Sequence, residues 1–224
     1  MVRWLDGERT INNYINTRIA KTLSVVFHPL LMPTYLYAIL SGVIPGISTS
    51  GGITGFIQRD AVYMILLLMF LVTFLLPLIC VILLFKTIRF SKLELGDKSQ
   101  RIVPLFYTTL FYILNLYMFS RQFSFGDIFI RILAGITAAV IVTFILSFFS
   151  KISLHSVGAG GLMGFLFFFR FYLPHLLPLW IFCVAVLLAG LIVSARLALQ
   201  CHTLKEVTLG FLVGMCGGGA LGWG

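Results

Sequence analysis

A histidine and a glutamate near the end of the sequence have the spacing of a catalytic pair. His202 and Glu206 are four residues apart in the stretch "CHTLKE". If a helix begins near Thr203, the carboxylate comes within reach of the imidazole. A carboxylate that holds one ring nitrogen in its N–H form leaves the other nitrogen free to attack an electrophile. The pair therefore predicts a histidine nucleophile that is oriented by Glu206.

Further groups that can do chemistry occur in three polar stretches between long apolar runs. The stretches are "KLELGDKSQRIVP" at 92–104, "KISLHS" at 151–156 and "SARLALQCHTLKE" at 194–206. They supply a second histidine, several cations and serine hydroxyls. These groups form one site only if the elements that carry them bring the three stretches together.

The composition indicates that those elements are membrane-spanning helices. The chain has 224 residues, of which 60% are hydrophobic and 10% are charged, and its mean hydropathy is +1.07. Soluble domains average about a quarter charged residues. Spanning a bilayer takes about 20 helical residues, and seven apolar segments approach that length: 22–46, 61–86, 102–120, 127–149, 157–173, 176–196 and 204–223.

We therefore predict an all-α fold, a polytopic transmembrane helical bundle with an active site at one membrane interface. The third and fifth segments are short for full spans, so both six and seven spans fit the sequence. We interpret residues 1–21 as an interfacial N-terminal segment and residues 22–224 as the transmembrane domain. Glycines such as Gly210 and Gly214, in a GxxxG arrangement, predict close contact between helices.

The order of the spans places the polar stretches on one face. The N-terminus and the loops at 87–101, 150–156 and 197–203 are separated by even numbers of spans, whereas the loops at 47–60, 121–126 and 174–175 lie on the opposite face. The three polar stretches are thus expected to meet at one membrane surface.

Charge and cysteine content exclude several other functions. The net charge is +9, but most basic residues fall in short loops, where membrane topology and anionic lipid head groups account for them. We therefore predict no nucleic-acid partner. The four cysteines have no paired spacing, so neither a disulfide nor a zinc site is indicated.

The three stretches together resemble the signature of the type 2 phosphatidic acid phosphatases, K-x6-R-P, then P-S-G-H, then S-R-x5-H-x3-D. Ser153 and His155 match the second part, although Ile152 and Leu154 replace its proline and glycine. The resemblance covers about residues 92–210, with the parts in the family's order.

The third part matches in spacing through Arg196, His202 and Glu206, with glutamate in place of aspartate and Ala195 inserted after Ser194. In the first part, Arg101 is followed by two residues before Pro104, and Glu94 occupies the lysine position. Lys98, three residues before Arg101, shares its face on a helix, whereas Lys92 points nearly opposite. We prefer Lys98 as the phosphate-binding lysine and keep Lys92 as the alternative.

The resemblance implies a mechanism that needs no metal or other cofactor, and the scarcity of clustered carboxylates agrees with this. His202 attacks phosphorus and forms a phosphohistidine, Glu206 orients His202, and His155 protonates the leaving alcohol and then activates water. Donors fixed around the phosphate oxygens stabilise the charge that spreads over them in the transition state. The residues assigned to this phosphate binding are Lys98, Arg101, Ser153 and Arg196.

The interfacial position favours a phosphorylated membrane lipid as substrate. Phosphatidate, phosphatidylglycerophosphate, polyprenyl pyrophosphate and sphingoid or ceramide-linked phosphates all remain open. We expect the protein to lie in the lipid bilayer of a bacterial inner membrane. The excess of basic residues places the site in the cytoplasm, whereas bacterial members of the resembled family commonly face the periplasm, so the side stays open. The sequence does not indicate an oligomeric state.

Two other functions fit the same residues. The first is a lipid phosphotransferase, in which the phosphohistidine passes its phosphoryl group to an alcohol. The second is a catalytically degenerate membrane protein that only binds lipid, which the departures at Glu94, Ala195 and Glu206 favour.

Overall fold

The computed structural model describes residues 17–43, 59–87, 99–122, 127–172, 174 and 177–219. Helices make up nearly all of these ranges, and no strand occurs in them. The all-α fold class predicted from composition is therefore confirmed.

The helices follow one another through short connections. They are α1 (17–26), a short 3-10 helix (Pro29–Leu31), α2 (Met32–Val43), α3 (Arg59–Phe70), a π-helical turn (Leu71–Leu75), α4 (Leu76–Thr87), α5 (Ser99–Gln122), α6 (Asp127–Leu146), α7 (Leu154–Tyr172), α8 (Leu179–Ala198) and α9 (Leu204–Gly219).

Five helical stretches within the described ranges are long and apolar enough to cross a membrane. They are Thr17–Ser41, Val62–Leu83, Arg101–Arg121, Leu154–Tyr172 and Leu179–Ala198. Such helices are compatible with an integral membrane protein. Six or seven spans are not confirmed, because the apolar helix Ile130–Leu146 is shorter and α9 has 16 residues, against about 20 for a full crossing.

The closest helix packing in the described fold joins α7 to α9 through glycines. A Cβ atom on Gly160 would overlap the carbonyl oxygen of Phe211, and one on Gly214 would overlap the carbonyl oxygen of Val157. Only hydrogen in place of a side chain lets the two backbones approach this far. The close contact predicted for the GxxxG residues is thus present.

The two helices run parallel. At their first turns the backbone N–H of Ser153 donates to the carbonyl oxygen of Glu206 at 3.5 Å. Further along, a Cβ on Gly164 would lie 3.1 Å from the Cα of Gly218. Contacts therefore advance in the same direction on both helices, and the two N-termini lie side by side.

A helix break separates α1 from α2 at the pair His28-Pro29. A residue that precedes proline favours extended backbone, and His28 has φ −62° and ψ 137°. In the last backbone hydrogen bond of α1, the N–H of Phe27 donates to the carbonyl oxygen of Leu23 at 2.9 Å. The carbonyl of Ser24 is thereby left available to a side chain.

The π-helical turn braces this break from the side. A π turn disrupts the regular helical ladder, and Asn115 of α5 donates from Nδ2 to the carbonyl oxygen of Val72 at 3.1 Å. Thr73 Oγ1 lies 2.7 Å from the Met69 carbonyl oxygen and 3.4 Å from that of Leu30. The segment after His28 is therefore held against the π-helical turn, which is itself hydrogen-bonded to α5.

Candidate active site

A cavity of about 590 Å³ lies between the helices. Its lining comes from α2, α4, α5, α6, α7 and α9, from the end of α8 and from the adjoining turns. Most of the lining is apolar. The histidines and cations that line it are His28, Arg101, Lys151, His155, Arg196 and His202. Parts of all three polar stretches therefore meet in one cavity, as their predicted placement on one face requires.

His202 and Glu206 form the pair that their spacing predicted. Nδ1 of His202 lies 3.2 Å from Oε2 of Glu206. An ionised carboxylate only accepts hydrogen bonds, so Nδ1 carries the proton and Nε2 keeps its lone pair. The two side chains are 11% and 22% exposed, so solvent screens this contact less than it would at an open surface.

The same carboxylate also caps α9. Oε2 of Glu206 accepts the backbone N–H of Thr203 at 3.0 Å, and Thr203 Oγ1 accepts the backbone N–H of Glu206 at 3.4 Å. This reciprocal arrangement is a capping box. Glu206 therefore both orients His202 and fixes the first turn of the helix that carries it.

The surroundings of His202 favour its neutral form. Burial lowers the pKa of His202, and the hydrogen bond to Glu206 partly opposes this. The positive charges of Arg196 and Lys151 lower the pKa further, while the negative charge of Glu206 raises it. The net lowering keeps a lone pair on the imidazole at neutral pH, as a nucleophile requires.

His155, in the first turn of α7, is held by the carbonyl that the break after α1 leaves available. Its Nε2 lies 2.9 Å from the carbonyl oxygen of Ser24. A carbonyl oxygen only accepts, so Nε2 carries a proton and Nδ1 is the nitrogen left for other partners. Each of the two predicted catalytic imidazoles is thus fixed through one nitrogen.

Arg196, in the last turn of α8, is fixed by the same residue. Its Nη1 donates to Oγ of Ser24 at 3.2 Å, while that hydroxyl donates to the carbonyl oxygen of Ala20 at 2.9 Å. Nε of Arg196 is buried and has no hydrogen-bond partner in the part of the chain that the structure describes. A buried N–H without a partner is costly, and Arg196 as a whole lines the cavity as a positively charged residue.

Ser153 does not lie where the predicted phosphate contact requires. It is 0% exposed and is not among the residues that line the cavity. Its Oγ accepts the backbone N–H of Ser156 at 3.4 Å and the hydroxyl of Ser156 at 2.9 Å. In this geometry the hydroxyl caps α7, as serines before helices commonly do, and the phosphate contact predicted for Ser153 is not among the contacts that the structure shows.

The remaining cations divide into two groups. Arg101, predicted to bind phosphate, lines the cavity. Lys98 and its alternative Lys92 lie outside the described residues. Lys151, at the start of the second polar stretch, also lines the cavity.

His28 is a cavity residue that sequence reasoning missed. Its ring centroid lies 5.9 Å from that of His155, with the two planes at 76°. A His-Pro pair within an otherwise apolar segment was the available signal, since it marks a helix break where a polar side chain can turn inward.

The fold and the cavity together define an all-helical protein, compatible with membrane insertion, that collects imidazoles and cations in one cavity. Comparisons of the chain with protein-family models, with curated proteins and with solved structures found no match.

Proposed function

We propose that this protein is an integral membrane lipid phosphate phosphatase. It would hydrolyse a phosphomonoester or pyrophosphate of a membrane lipid through a metal-independent phosphohistidine intermediate. The observation that carries the proposal is the pairing of Nδ1 of His202 with Glu206 in a cavity that is also lined by the cation Arg196. The first arrangement prepares a nucleophile, and the second prepares a site for an anion.

In the first step, the Nε2 lone pair of His202 forms a bond to phosphorus. The bond from phosphorus to the lipid oxygen breaks, and that oxygen takes a proton from Nδ1 of a doubly protonated His155. The negative charge of the bound phosphoryl group would favour this imidazolium, and the carbonyl of Ser24 would accept the proton on Nε2 in a charge-assisted hydrogen bond. Glu206 stabilises the positive charge that develops on His202.

In the second step, water attacks the phosphohistidine. Nδ1 of His155 takes a proton from that water, the bond between phosphorus and Nε2 of His202 breaks, and inorganic phosphate leaves. In both steps the negative charge spreads over the equatorial oxygens. Arg101, Lys151 and Arg196 are the cavity cations that would stabilise it.

The depth of the cavity supports a lipid substrate. His155 lies in the first turn of α7, and Phe165 lines the same cavity ten residues further on. At 1.5 Å per helical residue, these positions are about 15 Å apart along the axis. Apolar side chains such as Leu36 and Ile136 also line the cavity. An apolar chain would occupy this part while its phosphate contacts the histidines.

The proposal is tested by release of inorganic phosphate from a panel of lipid phosphates in detergent micelles, with no acceptor alcohol added. We expect His202→Ala to abolish release while retaining the thermal unfolding profile of the wild type. His175→Ala is the matched control, because the sequence places His175 in the loop 174–175 on the opposite face. Near wild-type turnover in His202→Ala would rule out the assigned nucleophile. Phosphate transfer that occurs only with an added alcohol would identify a phosphotransferase instead.

A further inference from the structure

The cavity contains a third imidazole, that of His28, which takes no part in the proposed mechanism. Nδ1 of His28 accepts the backbone N–H of Leu30 at 3.3 Å and so caps the 3-10 helix. Pro29 holds His28 in extended backbone, and the π turn holds Leu30 through Thr73. The ring therefore has a fixed direction.

This fixed direction determines which nitrogen of His28 can donate. Because Nδ1 accepts a hydrogen bond, the neutral ring carries its proton on Nε2. Nε2 has no acceptor within the described part of the chain. The ring lines the cavity and packs edge to face against His155 at a centroid distance of 5.9 Å. A polar N–H is thus present beside the group assigned to proton transfer.

We propose that His28 is a further substrate-binding residue, whose Nε2–H donates a hydrogen bond to a phosphoryl oxygen. This inference rests on the proposed function. Arg196 and His28 line one cavity, and a phosphoryl group has several oxygens that can accept from a guanidinium and from an imidazole at once. His28 lies on the break before α2, outside the stretches that resemble the three-part signature.

The competing role for His28 is purely structural, as the cap of the 3-10 helix. Two substitutions separate these roles, because one keeps the capping function of Nδ1 and the other keeps the donor function of Nε2. In His28→Asn, the side-chain oxygen lies near the position of Nδ1 and still caps, since asparagine is a preferred N-cap residue, but the donor at Nε2 is lost. In His28→Gln, the amide nitrogen reaches the region of Nε2, while the cap is weakened.

Two probes report on the contact in detergent-solubilised protein. One is hydrolysis of a lipid phosphate in mixed micelles, measured as kcat/KM. The other is competitive inhibition by inorganic phosphate, which has the phosphoryl oxygens but no lipid attached to them. We expect His28→Asn to weaken both by about 10- to 100-fold, the loss expected for one hydrogen bond to a charged group. His28→Gln should retain more of both activities and show a lower Tm than His28→Asn.

The comparison of His28→Asn with His28→Gln in the two probes decides between the phosphoryl contact and the purely structural role. If His28→Asn performs as well as or better than His28→Gln in either probe, the proposed phosphoryl contact is overturned. A loss confined to the lipid substrate would also overturn it, because the contact would then be to another part of the lipid. Absence of phosphate release by the wild-type protein would instead remove the proposed function itself, and this inference with it.

Discussion

Replacing Glu206 by glutamine tests whether the carboxylate stabilises charge on His202. The histidine gains positive charge as its bond to phosphorus forms, and the two partner atoms are 3.2 Å apart. For unit charges at that distance, an effective dielectric constant between 20 and 80 gives about 1–5 kcal/mol. This corresponds to roughly 10-fold to several thousand-fold in rate. Because the pair is only partly exposed, we expect kcat to fall by about 100-fold in Glu206→Gln.

The substitution should also move the pH profile. Burial lowers the pKa of His202, while the hydrogen bond and the charge of Glu206 raise it. Glutamine removes the charge, so the pKa of His202 falls further and the imidazole stays neutral to lower pH. The acid limb of kcat/KM is therefore expected to shift to lower pH as the plateau drops. The measurement is phosphate release across pH at saturating and at low lipid phosphate.

Stability separates this effect from simple loss of the helix cap. Glutamine is accepted at the Glu206 position of a capping box, so thermal unfolding should change little. Thr203→Ala is the matched control, because it removes the hydroxyl that caps α9 but leaves the carboxylate on His202. It should cost about 1 kcal/mol of stability with little loss of kcat. An equal loss of kcat in both variants, or a kcat within twofold of wild type in Glu206→Gln, would refute the charge argument.

Two further predictions test the packing and the electrostatics of the site. Gly214→Ala should lower both Tm and phosphate release, because its Cβ would overlap the Val157 carbonyl oxygen and separate α7 from α9. Gly190→Ala is the control, since no atom lies within 4 Å of the new Cβ, and it should leave activity unchanged. Similar losses of Tm in both variants would contradict this prediction. Burial is the main cause of the lowered pKa of His202, and the positive charge of Lys151 adds to it. Lys151→Ala should therefore raise this pKa and shift the acid limb of kcat/KM to higher pH, opposite to Glu206→Gln. An unchanged acid limb would show that Lys151 does not act on the nucleophile.

Local spacing made part of the site predictable from sequence. His202 and Glu206 are separated by one helical turn, so their contact depends on a single helix start that Thr203 marks. The glycines of α9 follow the same logic, because their four-residue spacing places them on one face. Interactions within one turn of one helix can be inferred without knowledge of the rest of the fold.

The partners of Ser24 were not predictable in this way. Its carbonyl accepts from His155, 131 residues away, and its hydroxyl accepts from Arg196, 172 residues away. Both contacts depend on how far α1 extends along the bundle and on where it ends. The periodicity of the sequence does not indicate how far α1 extends along the bundle.

Ser153 shows how a residue that matches a motif can also make a structural contact that the motif does not predict. It occupies the serine position of the resembled motif, and it also directly precedes a helix. A serine at that position satisfies an otherwise unpaired backbone N–H of the first turn, and here Ser156 N–H and its hydroxyl are the donors. The motif position and the cap position coincide in sequence, so only the buried direction of the hydroxyl separates them.

The described part of the site is made mainly from the ends of helices, which explains why loops carried most of the recognisable residues. His155 and His202 lie at the N-terminal ends of the parallel helices α7 and α9, where backbone N–H groups favour negative charge. Arg196 lies at the end of α8 and reaches the same cavity. His28 differs, because its helix end was created by a proline within an apolar segment and not by a polar loop. A break of this kind brings a polar side chain and a free carbonyl to one level of the bundle, so apolar segments that contain a His-Pro pair are places to look for site residues beyond the loops.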